Sequence, residues 1–452
     1  MRTLTLGVLA ALALCTLAFG AGRAAAATAV HCADNASDHA TLQAAINAGG
    51  TVTVYGTCLG TYSVSVSDVT IQAGAPGATI NGGGSSETAV LDVFRPFGAS
   101  HTLTLEGMTI TGGADGGINV GCGLCGYGNT LNMSNSTVTG NSKDPGTTGG
   151  GISGVSYSVM NISGSTISNN TGGLGGGIAV GDASSLDMSD SIVTSNNAYR
   201  GGGVWEGSDA QVTISDSQVT QNSSTGPGGG VLAIGGAPDL ENTKVSWNRS
   251  AMFGGGIASE CSDLTLTGTT VDHNRAATDG GGISNGTPSD NDGSCIGDGT
   301  VELDQSTIST NVAARNGGGV ANFGDCGTTS LAADGSAFGG NLATSGRGGA
   351  IFNSNAGCGG SSALVTLSHT TVGRLPYTVN PDRAEYGAGI FNAPGNGSSE
   401  VDLEASTAVS GNQASVHGGG VFDCPGAVLS VTGGAAVTQN IPDNIVNGST
   451  CP

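Results

Sequence analysis

The 452-residue sequence predicts an all-β solenoid, a single-stranded parallel β-helix of about 26 residues per coil opened by a short capping helix. Three observations predict it. A glycine-rich motif returns at near-constant steps, short segments between its copies alternate polar and apolar residues, and the same residue types recur at matched offsets. GGGI at 149–152 returns as GGGI at 175, GGGV at 201, GGGV at 228, GGGI at 254 and GGGI at 280. It continues as GGGV at 317, GGAI at 348, GAGI at 387 and GGGV at 418. The first five steps are 26, 26, 27, 26 and 26 residues, and the later ones carry insertions.

Each unit has three parts: the glycine motif with a few small residues, an alternating segment such as SLDMSDS or QVTISDS, and a short third segment such as IVTSN or KVSWN. Three short strands cannot close a sheet within one unit. Stacked coil on coil, each strand pairs with its equivalent one turn away, at a rise of about 4.8 Å per coil. Stacking turns recurring residues into ladders. Ile152, Ile178, Val204, Val231, Ile257, Ile283, Val320, Ile351, Ile390 and Val421 form one aliphatic stack. Val138, Ile167, Val193, Val219, Val245, Val271, Ile308 and Phe338 form a second. Asn141, Asn170, Asn196, Asn222, Asn248, Asn274, Asn311, Asn341, Asn412 and Asn440 form an amide stack, in which each amide donates to one neighbour and accepts from the other. Asn135, Gly164, Asp190, Asp216, Asn242 and Gly268 form a column suited to left-handed turns, each followed by Ser or Thr. Asp190 and Asp216, one coil apart, also make a pair suited to calcium.

The ends differ from the middle. Residues 37–49, SDHATLQAAINAG, read as a helix capped by Ser37 or Asp38 and stopped by Gly49, with Leu42, Ala45 and Ile46 on one face. It is placed to cover the open end of the core. The tail ends the ladder with Pro442 and ties down through Cys451. The organisation is therefore 1–27 leader, 28–80 cap and first coils, 81–440 repeats and 441–452 C-terminal cap.

Composition narrows the function. Of the 452 residues, 83 are Gly, 4% are aromatic and only 10% are charged, against roughly 25% charged in ordinary globular domains. The glycines follow no G-X-Y period, which excludes collagen, and 37% hydrophobic content excludes a wholly disordered chain. Twelve Lys and Arg against 34 Asp and Glu leave a formal charge of −22, which argues against a nucleic-acid partner.

Residues 1–27, MRTLTLGVLAALALCTLAFGAGRAAAA, have the charged start, apolar run and small-residue end of a secretory signal peptide. The run is short for a retained anchor, and Leu14 is too bulky for a lipoprotein signal at Cys15. The expected location is outside a bacterial cell, with no membrane span in the mature chain. That chain keeps Cys32, Cys58, Cys122, Cys125, Cys261, Cys295, Cys326, Cys358, Cys424 and Cys451, an even set that implies disulfides in an exported protein. Zinc is the weaker alternative, because Cys122 and Cys125 form a single CxxC. Cys326 and Cys358 sit at matched offsets in consecutive coils. Proximity pairs Cys32–Cys58, Cys122–Cys125, Cys261–Cys295 and Cys424–Cys451, with Cys295–Cys326 as a competing pair.

LQAAINA at 42–48, GTY at 60–62 and LTLEGMTITGG at 103–113 resemble the opening of exported members of the right-handed parallel β-helix, pectate-lyase-like superfamily. Residues 338–351, FGGNLATSGRGGAI, are similar to the GGA[ILV] and FxxN repeats of polymorphic outer-membrane protein passengers. The resemblance covers about residues 35–450 and implies a right-handed coil. It says little about activity, because these folds carry many functions.

Catalytic members of such folds carry clustered acids with a base, or paired Asp residues. The sequence has no NTD and no DD pair, His417 lacks a GHG context, and RLPYTVNPDR at 374–383 holds only a partial RxP. No catalytic residue is assigned. Two insertions carry the candidate sites. Residues 373–386 bring together Arg374, Tyr377, Asp382, Arg383, Glu385 and Tyr386 as a ligand-binding patch. Residues 285–299 bring Asp290, Asp292 and Asp298 together as a calcium loop, without the spacing of an EF-hand. Trp205 and Trp247 fall at repeat positions, each suited either to sugar stacking or to ordinary packing. The expectation is an exported, monomeric, non-catalytic protein that binds a polysaccharide or another cell-surface component, with calcium as its one possible cofactor. The alternative is a polysaccharide lyase or glycoside hydrolase whose site is assembled from several coils, with three or more carboxylates and a base in one groove.

Overall fold

The computed structural model describes residues 27–65, 68–94, 100–121, 128–287, 297–324, 327–355, 360–375 and 380–452. Among them, strands pair in parallel into three sheets of 27, 14 and 9 strands. One coil shows the plan. Val204–Glu206 lies in the 14-stranded sheet, Gln211–Ser215 and Gln218–Thr220 in the 27-stranded sheet, and Ser223–Ser224 in the 9-stranded sheet. Val231–Ile234 then begins the next coil directly above Val204–Glu206.

The predicted stacks are present in register. Ile178 pairs with Val204, Val204 with Val231 and Val231 with Ile257, all wholly buried. Val193, Val219, Val245 and Val271 form the second stack, which runs past Phe338 to Val372 and Val409. These residues belong to one continuous core that extends from Val30 to Val421. The turn column is left-handed as its residue types require. Asn135, Gly164, Asp190, Asp216, Asn242 and Gly268 have φ between 47° and 59°. The Ser or Thr that follows each of them forms a hydroxyl ladder. Ser165 donates its N–H to Ser191 Oγ at 3.1 Å, and Ser191 donates to Ser217 Oγ at 3.0 Å.

The amide ladder is the most regular polar feature. Asn222 Nδ2 donates to Asn248 Oδ1 at 3.1 Å and to the Val193 carbonyl at 2.9 Å. Its backbone N–H donates to the same Asn248 oxygen at 2.9 Å. Each Asn therefore satisfies two buried donors of the coil before it and a carbonyl in the turn below. The ladder passes Pro442 and ends one step beyond Asn440, at Asn444 Oδ1. A second amide ladder, absent from the sequence reading, runs inside the 14-stranded sheet. Asn285, Asn322, Asn353 and Asn392 donate in turn, at 2.8 to 2.9 Å, and Asp423 accepts the last bond.

One rung of the first ladder is not an amide. Asp382 lies between Asn341 and Asn412, fixed there by the pairing of Leu342 with Arg383 and of Arg383 with Gln413. Its Oδ1 accepts from the N–H and Nδ2 of Asn341, at 2.7 and 3.0 Å. Its Oδ2 and Asn412 Oδ1 are both buried without a partner. Burial pushes this carboxyl up to about 8, against the opposing effect of the two Asn341 bonds. Elsewhere in the ladder a backbone N–H and an amide Nδ2 donate to the next Asn oxygen, and here neither bond to Asn412 Oδ1 is made.

The helix Ser37–Ala48 buries Leu42, Ala45 and Ile46 in the core and stops at Gly49, φ 72°. Its cap differs from expectation. Ala36 occupies the N-cap position with no side-chain bond, and Asp38 turns back to accept the N–H groups of Ala33 and Asn35 at 3.0 Å each. Cys32–Cys58 and Cys424–Cys451 are bonded as expected, with Cα atoms 4.9 and 5.1 Å apart, and each pair ties one terminal coil to its neighbour. Cys261 is also disulfide-bonded. Cys122, Cys125, Cys295, Cys326 and Cys358 lie outside the described residues, as do residues 1–26 of the leader. The last coil is the barest, with Val428, Val431, Ile441 and Ile445 exposed.

Two outcomes follow from the ladder. Asn222→Leu strands the Asn196 donors and the Val193 carbonyl, and is expected to lower unfolding stability by roughly 2–4 kcal/mol. Thr213→Val, on the exposed face of the same coil, is expected to change it by less than about 0.5 kcal/mol. Asp382→Asn is expected to raise stability. In the wild type the folded carboxyl keeps its proton while the unfolded one loses it near its ordinary range. Wild-type stability therefore falls as pH rises from about 4 to about 8. Melting temperatures across that range should show the Asn variant ahead at pH 8 and the gap narrowing toward pH 4.

Candidate functional site

The predicted patch at 373–386 is divided by the pleat of one strand. In Arg383–Tyr386, side chains alternate across the 9-stranded sheet, so Arg383 and Glu385 face solvent while Ala384 faces inward. Asp382, the ladder rung, is wholly buried and out of reach of a ligand. Arg383 and Glu385 do meet, lining a shallow depression of about 410 Å³ with Leu342, Thr344, Gln413 and Ser415. Tyr386 is half-buried, edge-on to Phe422 at 5.6 Å, and Arg374 is exposed beyond the strand Thr371–Gly373. Tyr377 lies outside the described residues.

Of the predicted calcium loop, Asp290 and Asp292 lie outside the described residues. Asp298 Oδ1 accepts the Thr328 N–H at 2.7 Å, which ties it to the next coil. Asp190 and Asp216 are exposed at the left-handed corner. Among the described residues, no three His, Cys, Asp or Glu side chains converge as a metal-holding group.

Carboxylates do gather on the outer face of the 27-stranded sheet. Glu302, Asp304 and Asp334 line a second depression of about 410 Å³ with Thr265, Thr366 and Ser368. His369 Nδ1 lies 2.9 Å from Asp334 Oδ1, and this bond holds the Asp334 carboxyl below its ordinary range. Asp334 therefore stays ionised, the opposite of what a general acid requires. The two acids pushed up to about 8 by burial, Glu206 and Asp382, are 0% exposed and cannot reach a substrate.

Trp247 stands at one corner, where a coil leaves the 27-stranded sheet for the 9-stranded one; Tyr157 and Tyr199 are the other exposed large aromatics among the described residues. The residue before each ladder Asn takes a left-handed conformation there: Ser195, Gln221, Trp247, His273 and Thr310, with φ between 55° and 59°. The buried Asn pulls the chain inward, and its predecessor projects outward. Trp247 is 58% exposed, and its indole stacks on the His273 ring at 4.3 Å with an 18° tilt. Thr310 Oγ1 lies 3.2 Å from His273 Nδ1 and Asp272 Oδ2 lies 3.2 Å from it, which steadies the ring under the indole. Trp205 is different. It packs beside Leu232, Phe253 and Ala258 over the 14-stranded sheet.

Two residues past the rings, the strands Arg249–Ser250 and Arg275–Ala276 pair so that Arg249 lies directly opposite Arg275, both exposed. Lys244 is on the other side of the corner, 3.5 Å from Asp272 Oδ2. The sequence reading picked out Trp247 but missed His273, Arg249 and Arg275. In neighbouring coils their columns hold Ser195, Gln221 and Thr310, and Asn197, Ser223 and Val312. Only the outward positions, aligned coil by coil, carry their signal; the repeat itself is set by the inward ones.

No curated protein and no solved structure matches the chain. Residues 52–245 match the family model described as the right-handed beta helix region. The described coils continue that pairing to the strand Ile445–Asn447, and the chain is a right-handed parallel β-helix.

Proposed function

We propose that this is an exported, non-catalytic β-helix that binds a polysaccharide or another glycan-bearing surface. The observation that carries the reading is Trp247, an indole held flat on His273 and left 58% exposed. A left-handed conformation at a bulky residue costs about 1–2 kcal/mol, and other coils place smaller residues at this corner. Leaving a large apolar ring in water is a second cost. A sugar ring offers an apolar C–H face that an indole covers well, with hydroxyl groups left for water. A rigid rod keeps such a platform in place without an induced change. The high negative charge keeps the rod soluble outside the cell.

A catalytic reading draws on Glu302, Asp304 and Asp334, three carboxylates from two adjacent coils with His369 close by. It requires a proton donor, and the bond from His369 works against Asp334 in that role.

The test uses the purified chain and a panel of neutral and acidic polysaccharides, with and without calcium. Retention in affinity electrophoresis is expected without new reducing ends or unsaturated products. Trp247→Ala is expected to weaken retention about fivefold or more. Cleavage products that disappear in Asp334→Asn, while Trp247→Ala still forms them, would overturn the binding reading in favour of the catalytic one.

A further inference from the structure

We infer that the glycan seated on Trp247 is anionic, and that Arg249 and Arg275 hold successive acid groups along it. The inference rests on the glycan-binding reading and adds the charge and direction of the ligand. Arg249 and Arg275 are exact register partners on adjacent parallel strands, about 4.8 Å apart in the direction of stacking. Like charges placed directly opposite each other repel and destabilise the pair. Among the described residues neither guanidinium takes part in an ion pair, although the chain has 34 acids for 12 Lys and Arg. Lys244 is not in the same state, because Asp272 lies beside it.

The surrounding columns make the pair stand out. The position of Arg249 and Arg275 is occupied by Asn197 and Ser223 in the two coils before and by Val312 in the coil after. No carboxylate occurs in that run, nor in the ring column from Ser195 to Thr310. Two unpaired cations in register beside two stacked rings thus interrupt an acidic rod. Guanidinium groups bind carboxylate and sulfate oxygens in a planar, two-point fashion that ammonium groups do not. The rings and the cations both repeat at the coil rise, so the ligand runs along the solenoid axis. One sugar ring lies on the Trp247 platform, and acid groups from neighbouring sugars reach Arg249 and Arg275.

The test compares pairs of polymers that share a backbone and differ in charge. The probes are alginate against its propylene glycol ester, for carboxylates, and dextran sulfate against dextran, for sulfates. Binding of the full chain is measured with calcium chelated, because calcium bridging a polyanion to the acidic face would imitate direct contact. The charged member of at least one pair is expected to bind about tenfold more tightly than its neutral partner, and added salt should erase the difference. Arg249→Gln with Arg275→Gln is expected to remove that preference, and the melting temperature should stay level or rise slightly as the opposed like charges are lost. Trp247→Ala should weaken both members of a pair. Equal binding of charged and neutral polymers, unchanged by the arginine substitutions, would overturn the inference and leave the glycan-binding reading intact. A charge preference that survives the double substitution would also overturn it. No retention of any polymer would sink both.

Discussion

Every feature of this molecule depends on one constraint: each coil must present to its neighbour the same pattern of donors, acceptors and side-chain volumes. Backbone pairing alone fixes spacing but tolerates slippage in short strands. The ladder amides remove that freedom. Asn222 can bond Asn248, the Val193 carbonyl and its neighbour's backbone only when all three coils are in step. The aliphatic stacks fill the interior at that register, and the left-handed corners let a 26-residue circuit turn three times. The step from Gly280 to Gly317 is longer than the usual period, and the pairing of Ile283 with Val320 is kept all the same.

Most of the architecture was legible because the constraint repeats. A buried position occupied by Ile or Val in ten successive units identifies itself, and so does a corner occupied by Asn, Asp or Gly. Features that break the repeat were harder to read. Asp382 was grouped with its charged neighbours as a surface ligand, because in sequence it sits among Arg383 and Glu385. The spacing of Asn341 and Asn412 left one coil without an amide, and that gap was the available clue. The second amide ladder begins only at Asn285; below it the column holds Ser259, Ala233, Glu206, Val180 and Gly154, which give no period over the whole chain. Trp205 and Trp247 looked equivalent, each near a repeat landmark. Only the loop carrying Phe253 distinguishes a covered indole from a bare one.

Function separates from fold along the same line. Inward positions are constrained by the stack and carry no information about ligands. Outward positions are free. Glu302, Asp304 and Asp334 gather on the broad face of the 27-stranded sheet, and Trp247, His273, Arg249 and Arg275 gather at the corner beside the 9-stranded one. A regular scaffold can change its binding surface one coil at a time, because an outward substitution in one unit leaves the register of the next untouched.

The two terminal disulfides have a consequence for how such a rod fails. A linear stack of similar units comes apart most easily from its ends, where removing one unit breaks a single interface, whereas opening it in the middle breaks two. Cys32–Cys58 and Cys424–Cys451 each fasten a terminal coil to the one beside it. The cheap route to unravelling is closed on both sides, and rupture must begin in the interior, where the ladders are complete. In an oxidising medium the described coils therefore behave as a closed length, fastened at both of their outermost turns. Once the bridges are reduced, the sparsely covered last coil becomes the place where it frays.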